Sequence, residues 1–213
     1  MDHSELSRLF TPEALRLLDD VGELASTDDV ARTVSRLRAQ GHSPELVSAV
    51  MSQARLRTRA RDKFGDAASR MLFTRAGLEQ ATRLSIAVRH ADRFRKAGLD
   101  RVADLGCGIG GDSLGLAGLG LKVLAVEADE VTAALAAYNL APFGDDVTVQ
   151  HGTAEETDLA GVDAVWLDPA RRTEGHSDTK RLADPADFTP RLDWTFDLIS
   201  RIPGGVKLGP GTH

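Results

Sequence analysis

Residues 102–112 read VADLGCGIGGD. A short apolar run ends in Gly106, Gly108 and Gly110, and an apolar stretch of helical character follows. A run of this kind is a buried parallel strand, and a tight glycine turn out of it delivers the chain into a helix whose first N–H groups are free. Glycine at 106, 108 and 110 removes the Cβ atoms that would block both the turn and a ligand approaching the backbone. The glycines at 106, 108 and 111 also spell G-x-G-x-x-G, a fingerprint of dinucleotide sites. Few folds accommodate such a stretch, and each is a layered α/β fold.

The chain around it agrees. After DRVADLG and the helix GDSLGLAGLG come a strand, LKVLAVEAD, a helix, EVTAALAAYNLA, and two more strands, DVTVQHG and GVDAVWLDPA. A charged loop precedes the helix LDWTFDLISRI, and GGVKLGPG opens a fifth strand. Alternating strands and helices require right-handed crossovers and a parallel sheet. The expected class is α/β, a Rossmann-like, mostly parallel sheet with helices on both faces over residues 98–213. Sheets of this type usually run past five strands, so the ending at GPGTH reads either as a short tail or as a truncation. Residues 1–97 read instead as an all-helical extension. Thr11 caps a helix with Pro12 at its first position and Gly22 as its stop. A second helix starts at Thr27 and ends at Gly41, and a third starts at Ser43–Pro44 and runs to about Phe64. A fourth covers about 76–96. Arginine at 55, 57, 59 and 61 spreads round the third helix and leaves no apolar stripe there, so that end is expected to be exposed or bound to something.

An acid beside the glycine loop bears on the ligand. Asp104 precedes the first glycine by two residues. Next to a pyrophosphate it would add like charge. Next to a sulfonium and an α-ammonium, as in S-adenosylmethionine, a carboxylate is favourable. Glu127 ends the second strand, 21 residues after Gly106, where an acid can accept both ribose hydroxyls of either cofactor class. After the third strand, in HGTAEE, Thr153 and the backbone of Ala154 are the candidates for reading adenine. Cys107 is a small filler in the loop.

These residues resemble the class I S-adenosylmethionine-dependent methyltransferases. VADLGCGIGGDSLGLA looks like their first motif, VEAD their second, and WLDPARR stands where their substrate motif belongs. More narrowly, KFG, MLFTRAGLEQATRLSIAVRHADRF and DPARR resemble bacterial methyltransferases with a helical N-terminal extension and a THUMP-like C-terminal domain, distantly similar to trimethylguanosine synthase. The THUMP-like part is absent from this sequence. The resemblance implies S-adenosyl-L-methionine as cofactor, S-adenosyl-L-homocysteine as product, and Phe73 and Thr74 as upstream cofactor contacts. Methyltransferases acting on amino groups commonly carry Asp/Asn-Pro-Pro-aromatic. Here Asp168 and Pro169 match, while Ala170 and Arg171 depart. The side-chain oxygen of Asp168 and the carbonyl of Pro169 would accept N–H bonds from the target amine, and Arg171 and Arg172 would stack on a base or grip a phosphate. Methylation of a base carbon is disfavoured, because it needs a second thiol and Cys107 is the only cysteine.

Charge distribution supplies the expected partner. The net charge of −6 is split, since residues 55–101 hold 13 Lys/Arg against 5 Asp/Glu. RNA, methylated at a base nitrogen, is the partner expected for that basic segment; the alternatives are a small-molecule or protein methyltransferase, or a truncated cofactor-binding remnant without activity. One cysteine excludes an intrachain disulfide and a multi-thiolate zinc site, and no metal is expected. No segment has the apolar length of a membrane span, and MDHSELSRLF has neither the basic nor the apolar region of a signal peptide, so the expected location is cytoplasmic. The loop from 171 to 192 reads as a mobile cover over the substrate.

Overall fold

The computed structural model describes residues 3–24, 26–171 and 188–208. The chain divides into two compact units, Met1–Ser85 and Ile86–His213. The first is helical: α1 (His3–Leu9), α2 (Pro12–Val21), α3 (Thr27–Ala39), α4 (Pro44–Phe64), a 3₁₀ segment Gly65–Arg70, and α5 (Arg75–Gln80). Its starts are set by side-chain caps. The Thr11 hydroxyl accepts from Ala14 N–H at 3.1 Å and that of Ser43 from Leu46 N–H at 3.2 Å, as expected. α3 starts at Thr27, as expected, and its cap is Ser26, accepting from Asp29 N–H at 3.1 Å. Leu9, Leu18, Leu37, Val50, Phe64 and Phe73 fill this unit's core.

Two expectations need correction here. The fourth helix is not continuous: α5 stops at Gln80 and α6 spans Leu84–Lys96. The Lys63 ammonium donates to the carbonyls of Leu78, Glu79 and Ala81 at 2.7–2.8 Å, which satisfies the last turn of α5 with a cation from a distant residue. The arginine-rich end of α4 is also not uniformly exposed. Arg57 is buried, and Ala54, Ala60 and Phe64 keep an apolar stripe through that stretch.

The second unit holds the sheet, with β1 (Arg101–Leu105), β2 (Lys122–Glu127), β3 (Val147–His151), β4 (Ala164–Leu167) and two-residue strands β5 (Ala170–Arg171) and β6 (Phe188–Thr189), and finally β7 (Gly204–Val206). Its helices are α6, α7 (Gly111–Gly118), α8 (Glu130–Leu140) and α9 (Leu192–Arg201). The main sheet has the order β3-β2-β1-β4-β7, and every pairing in it is parallel. Alternate residues divide between two cores. Val102, Val123, Ala125 and Trp166 face Phe94 of α6, Leu116 of α7 and Leu140 of α8. Leu105, Val126, Val165 and Leu167 face Leu198 of α9. The result is a Rossmann-like sheet with helices on both faces. β5 and β6 form a separate antiparallel pair, Ala170 against Thr189 and Arg171 against Phe188. That pair ties together the ends of the segment expected to be a mobile cover. No helix among the described residues is long and apolar enough to cross a membrane.

Candidate functional site

In a parallel sheet the strand ends and the loops that leave them gather along one edge, where ligands of such folds bind. β1 and β2 bring Asp104 and Glu127 to that edge, in register with their neighbours, and Asp168 directly follows the end of β4. Between β1 and α7 the loop folds back on β2: the N–H groups of Gly106 and Cys107 both donate to the Val126 carbonyl at 2.9 Å. Gly106, Gly108 and Gly110 have φ of +91°, +57° and +88°, so the alternate glycines, rather than the G-x-G-x-x-G set, hold the left-handed positions. A Cβ on Gly110 would also stand 3.0 Å from Leu140 Cδ1.

Glu127 shapes the same loop. Its Oε2 accepts from Gly108 N–H and its Oε1 from Asp129 N–H, each at 2.9 Å. The half-buried carboxylate thus ties the glycine loop to the turn after β2, with lone pairs left over for a diol. Asn139, buried in α8, donates from Nδ2 to the Ile109 carbonyl at 3.0 Å. The sequence reading missed Asn139. Its signal was an amide within the Ala/Leu helix, which must find a buried partner.

Asp104 lies beneath the loop at 1% exposure. Its Oδ2 accepts from the Ser113 hydroxyl at 2.6 Å. Burial, then repulsion from Asp112, pushes its carboxyl up to about 8. Asp112, also buried, meets His90 Nδ1 at 2.9 Å, and the imidazole stacks on the Trp166 indole with ring centres 4.3 Å apart. His90 and Asp112 were not singled out from the sequence, because their pairing depends on the packing of α6 against α7. Trp166 is a core residue here. Cys107 is buried, and desolvation raises its thiol well above the usual range, which suits a filler and not a nucleophile.

At the end of β4, half-buried Asp168 forms an ion pair with Lys207, just past β7. Burial raises the Asp168 carboxyl and Lys207 opposes the rise. Lys207 was the other partner the sequence reading missed. Pro169 is buried. The Arg171 backbone pairs in β5, and Arg172, with the loop histidine His176, lies outside the described residues. The Thr153 hydroxyl donates to Glu156 Oε2 at 2.8 Å, and the Ala154 methyl packs in the core facing α9.

Phe73 and Thr74 belong to the helical unit. Phe73 is fully buried against Phe64, and Gln53 takes both its N–H and its carbonyl. The Thr74 hydroxyl accepts from Gly77 N–H at 2.8 Å and caps α5.

The edge of the sheet is therefore rich in carboxyl groups. Four carboxyl groups, Asp104, Asp112, Glu127 and Asp168, stand there beside the imidazole of His90 and the ammonium of Lys207. Such an arrangement favours a cationic ligand with a hydroxylated ring and opposes a pyrophosphate. Among the described residues no cluster of three or more His, Cys, Asp or Glu is arranged to hold a metal ion.

Comparison with known proteins bears on the fold. Residues 2–60 match a family described as a domain of unknown function, DUF8688. No curated protein matches the chain. A structure from Porphyromonas gingivalis W83, described as that of a candidate methyltransferase, superposes with a TM-score of 0.65 at 24% identity, covering 99% of this chain and 50% of that one. The likeness shows that the two share a fold. A candidate RNA methyltransferase from Pyrococcus horikoshii matches at 30% identity and a TM-score of 0.40, over 47% of this chain and 53% of that one. The chain spans about half the length of these two solved structures.

Proposed function

We propose that this chain binds S-adenosylmethionine at the glycine loop and directs its methyl group to a nitrogen of an RNA base. The observation that carries the reading is the buried Asp104 carboxyl beneath a loop of left-handed glycines, with Glu127 closing the loop from the neighbouring strand. The residues fit that cofactor: a buried acid raised to about 8 is one that a nearby cation would ionise.

Gly106, Gly108 and Gly110 leave room for the amino-acid end against the backbone, and Asp104 faces its ammonium directly or through water. Glu127 accepts the ribose hydroxyls, and Thr153 and the Ala154 backbone border the adenine. Phe73 and Thr74, whose groups are engaged in packing and capping, are left out of this set. When bound, the cofactor supplies an electrophilic methyl on a good leaving group, so the protein's work is orientation and exclusion of water. Asp168 and the Pro169 carbonyl accept N–H bonds from the acceptor amine and hold its lone pair in line. Arg171 and Arg172 engage the base or its phosphate. The narrower resemblance to methyltransferases with THUMP-like domains and to trimethylguanosine synthase supports RNA as the substrate.

Calorimetry with S-adenosylhomocysteine, with NAD as the control, tests the cofactor; binding of NAD alone overturns it. Transfer of tritium from labelled S-adenosylmethionine to total RNA, abolished by Asp168→Ala, tests the reaction. Transfer to protein or to small molecules instead would reassign the substrate.

A further inference from the structure

Helix α4 carries arginine at every second position from 55 to 61. Two residues turn a helix by roughly 200° and four by roughly 400°, so Arg55 and Arg59 share one face while Arg57 and Arg61 share the opposite one. The structure treats the two faces differently. Arg57 donates to the Met71 carbonyl at 2.9 Å and to Asp19 at 2.8 Å. Arg61 pairs with Glu23 at 2.5 Å and with Asp66 at 3.2 Å. Acids from α2, from the residues just after it and from the 3₁₀ segment thus neutralise that face from within the unit.

The other face is compensated far less. Arg55 has no ion-pair partner among the described residues, and Arg59 only reaches Glu79 at 3.8 Å. The two line a groove of about 670 Å³ inside the helical unit, together with Arg38 from the end of α3 and Arg75 from the start of α5. Arg38 and Arg75 also have no ion-pair partner among the described residues. Glu5 is the one acid in the lining, and Val30, Val34 and Leu56 give the groove an apolar wall. Like charges four residues apart repel on a helix, so the arrangement costs stability unless an anion is shared.

We propose that this groove binds single-stranded RNA, with Arg38, Arg55, Arg59 and Arg75 on its phosphates and the aliphatic wall against a base. All four cations are guanidinium groups, which fork onto phosphate and lie flat on bases. Arg55 and Arg59 are about 6 Å apart along the axis, on the scale of one nucleotide step of an extended strand, and a strand repeats its charge at that step whatever its sequence. An acidic peptide meets the same cations only where its acids happen to fall. The proposal rests on the RNA reading above and adds the place of contact.

Fluorescence anisotropy with a labelled 20-nucleotide single-stranded RNA at several salt concentrations tests it on the full chain, with S-adenosylhomocysteine binding measured in parallel. Arg55→Gln/Arg59→Gln is expected to weaken RNA binding at least tenfold and to reduce the salt slope by about 1.4, the value for two lost single-strand phosphate contacts. Arg38→Gln/Arg75→Gln is expected to do the same, with cofactor-product binding intact in both. Arg89→Gln/Arg93→Gln, on α6, is expected to have a much smaller effect. Retained RNA binding in both groove variants would overturn the groove and leave the RNA reading standing. Absence of salt-dependent RNA binding in the unmodified chain would overturn both. Equal competition by poly-glutamate would reassign the groove to an acidic peptide.

Discussion

Asp104 is a carboxyl group stored away from water, and its titration carries consequences that can be measured. Its folded-state value is raised from 3.8 to about 8. Between those values the native chain holds a proton that the unfolded chain has released, so this group's contribution is fully present below about pH 4 and is lost as pH rises through 8. Stability of the ligand-free protein should fall by up to about 1.4 kcal/mol per pH unit across that window. Urea denaturation at pH 5, 6, 7 and 8 measures the slope, and Asp104→Asn should flatten it. A bound cation favours the ionised form. Binding of S-adenosylmethionine should therefore release a proton below pH 8 and tighten as pH rises, which calorimetry in buffers of unequal ionisation enthalpy detects. At Asp168 burial raises the carboxyl, and Lys207 holds it below where burial alone would put it. Lys207→Met should move the rise of methyl transfer with pH to higher pH, read from the pH–rate profile. Asp104, Glu127 and Asp168 were legible as residues because strand-end acids beside a glycine turn have few other uses. Ser113, His90, Asp112 and Lys207 were not, since each meets its partner only after distant segments have packed.

Among the elements, α6 and α7 meet where Gly115 stands against Ala87. A Cβ on Gly115 would lie 2.6 Å from the backbone carbon of Ala87, so only glycine lets the two helices meet. Gly115→Ala cannot be relieved by a side-chain rotation and should cost about 1–3 kcal/mol, seen as a lower melting temperature and as weakened contact between His90 and Asp112 on the same two helices. Gly110→Ala differs, because the obstacle is backbone conformation plus the flexible Leu140. It should cost about 1–3 kcal/mol and should impair cofactor binding more than Gly115→Ala does. The helix starts were readable from Thr11, Ser43 and their prolines, where cap and helix are neighbours in sequence. The break between α5 and α6 was not, because the Lys63 ammonium that ends α5 arrives from another helix. The two faces of α4 were hidden for a related reason: alternate arginines look alike until Asp19, Glu23 and Asp66 select two of them.

Over the whole molecule, charge is unevenly shared. Residues 1–85 hold 13 Lys/Arg against 12 Asp/Glu, a net +1, and residues 86–213 hold 13 against 20, a net −7. The unit with the glycine loop therefore repels phosphate overall and favours a cation. Binding of the cofactor to this unit, at about a hundred times its dissociation constant, should add about 2.7 kcal/mol to its stability. Differential scanning calorimetry checks the shift, and hydrogen exchange should slow at the glycine loop and at the turn after Glu127. The layered α/β architecture followed from the alternation of strands and helices alone. The antiparallel pair of β5 and β6 did not, since two residues on each side of a charged loop carry no periodic signal.

The tie made by Glu127 has a further consequence for anyone remodelling the pocket. Its two oxygens fix Gly108 and the turn at Asp129, so one side chain sets the shape of the loop. A redesign for a cofactor with an altered ribose cannot begin by trimming this side chain, because the mould would go with it. On the proposed reading of the site, the place to cut is Thr153, whose hydroxyl is held by Glu156 on the surface and not by the loop.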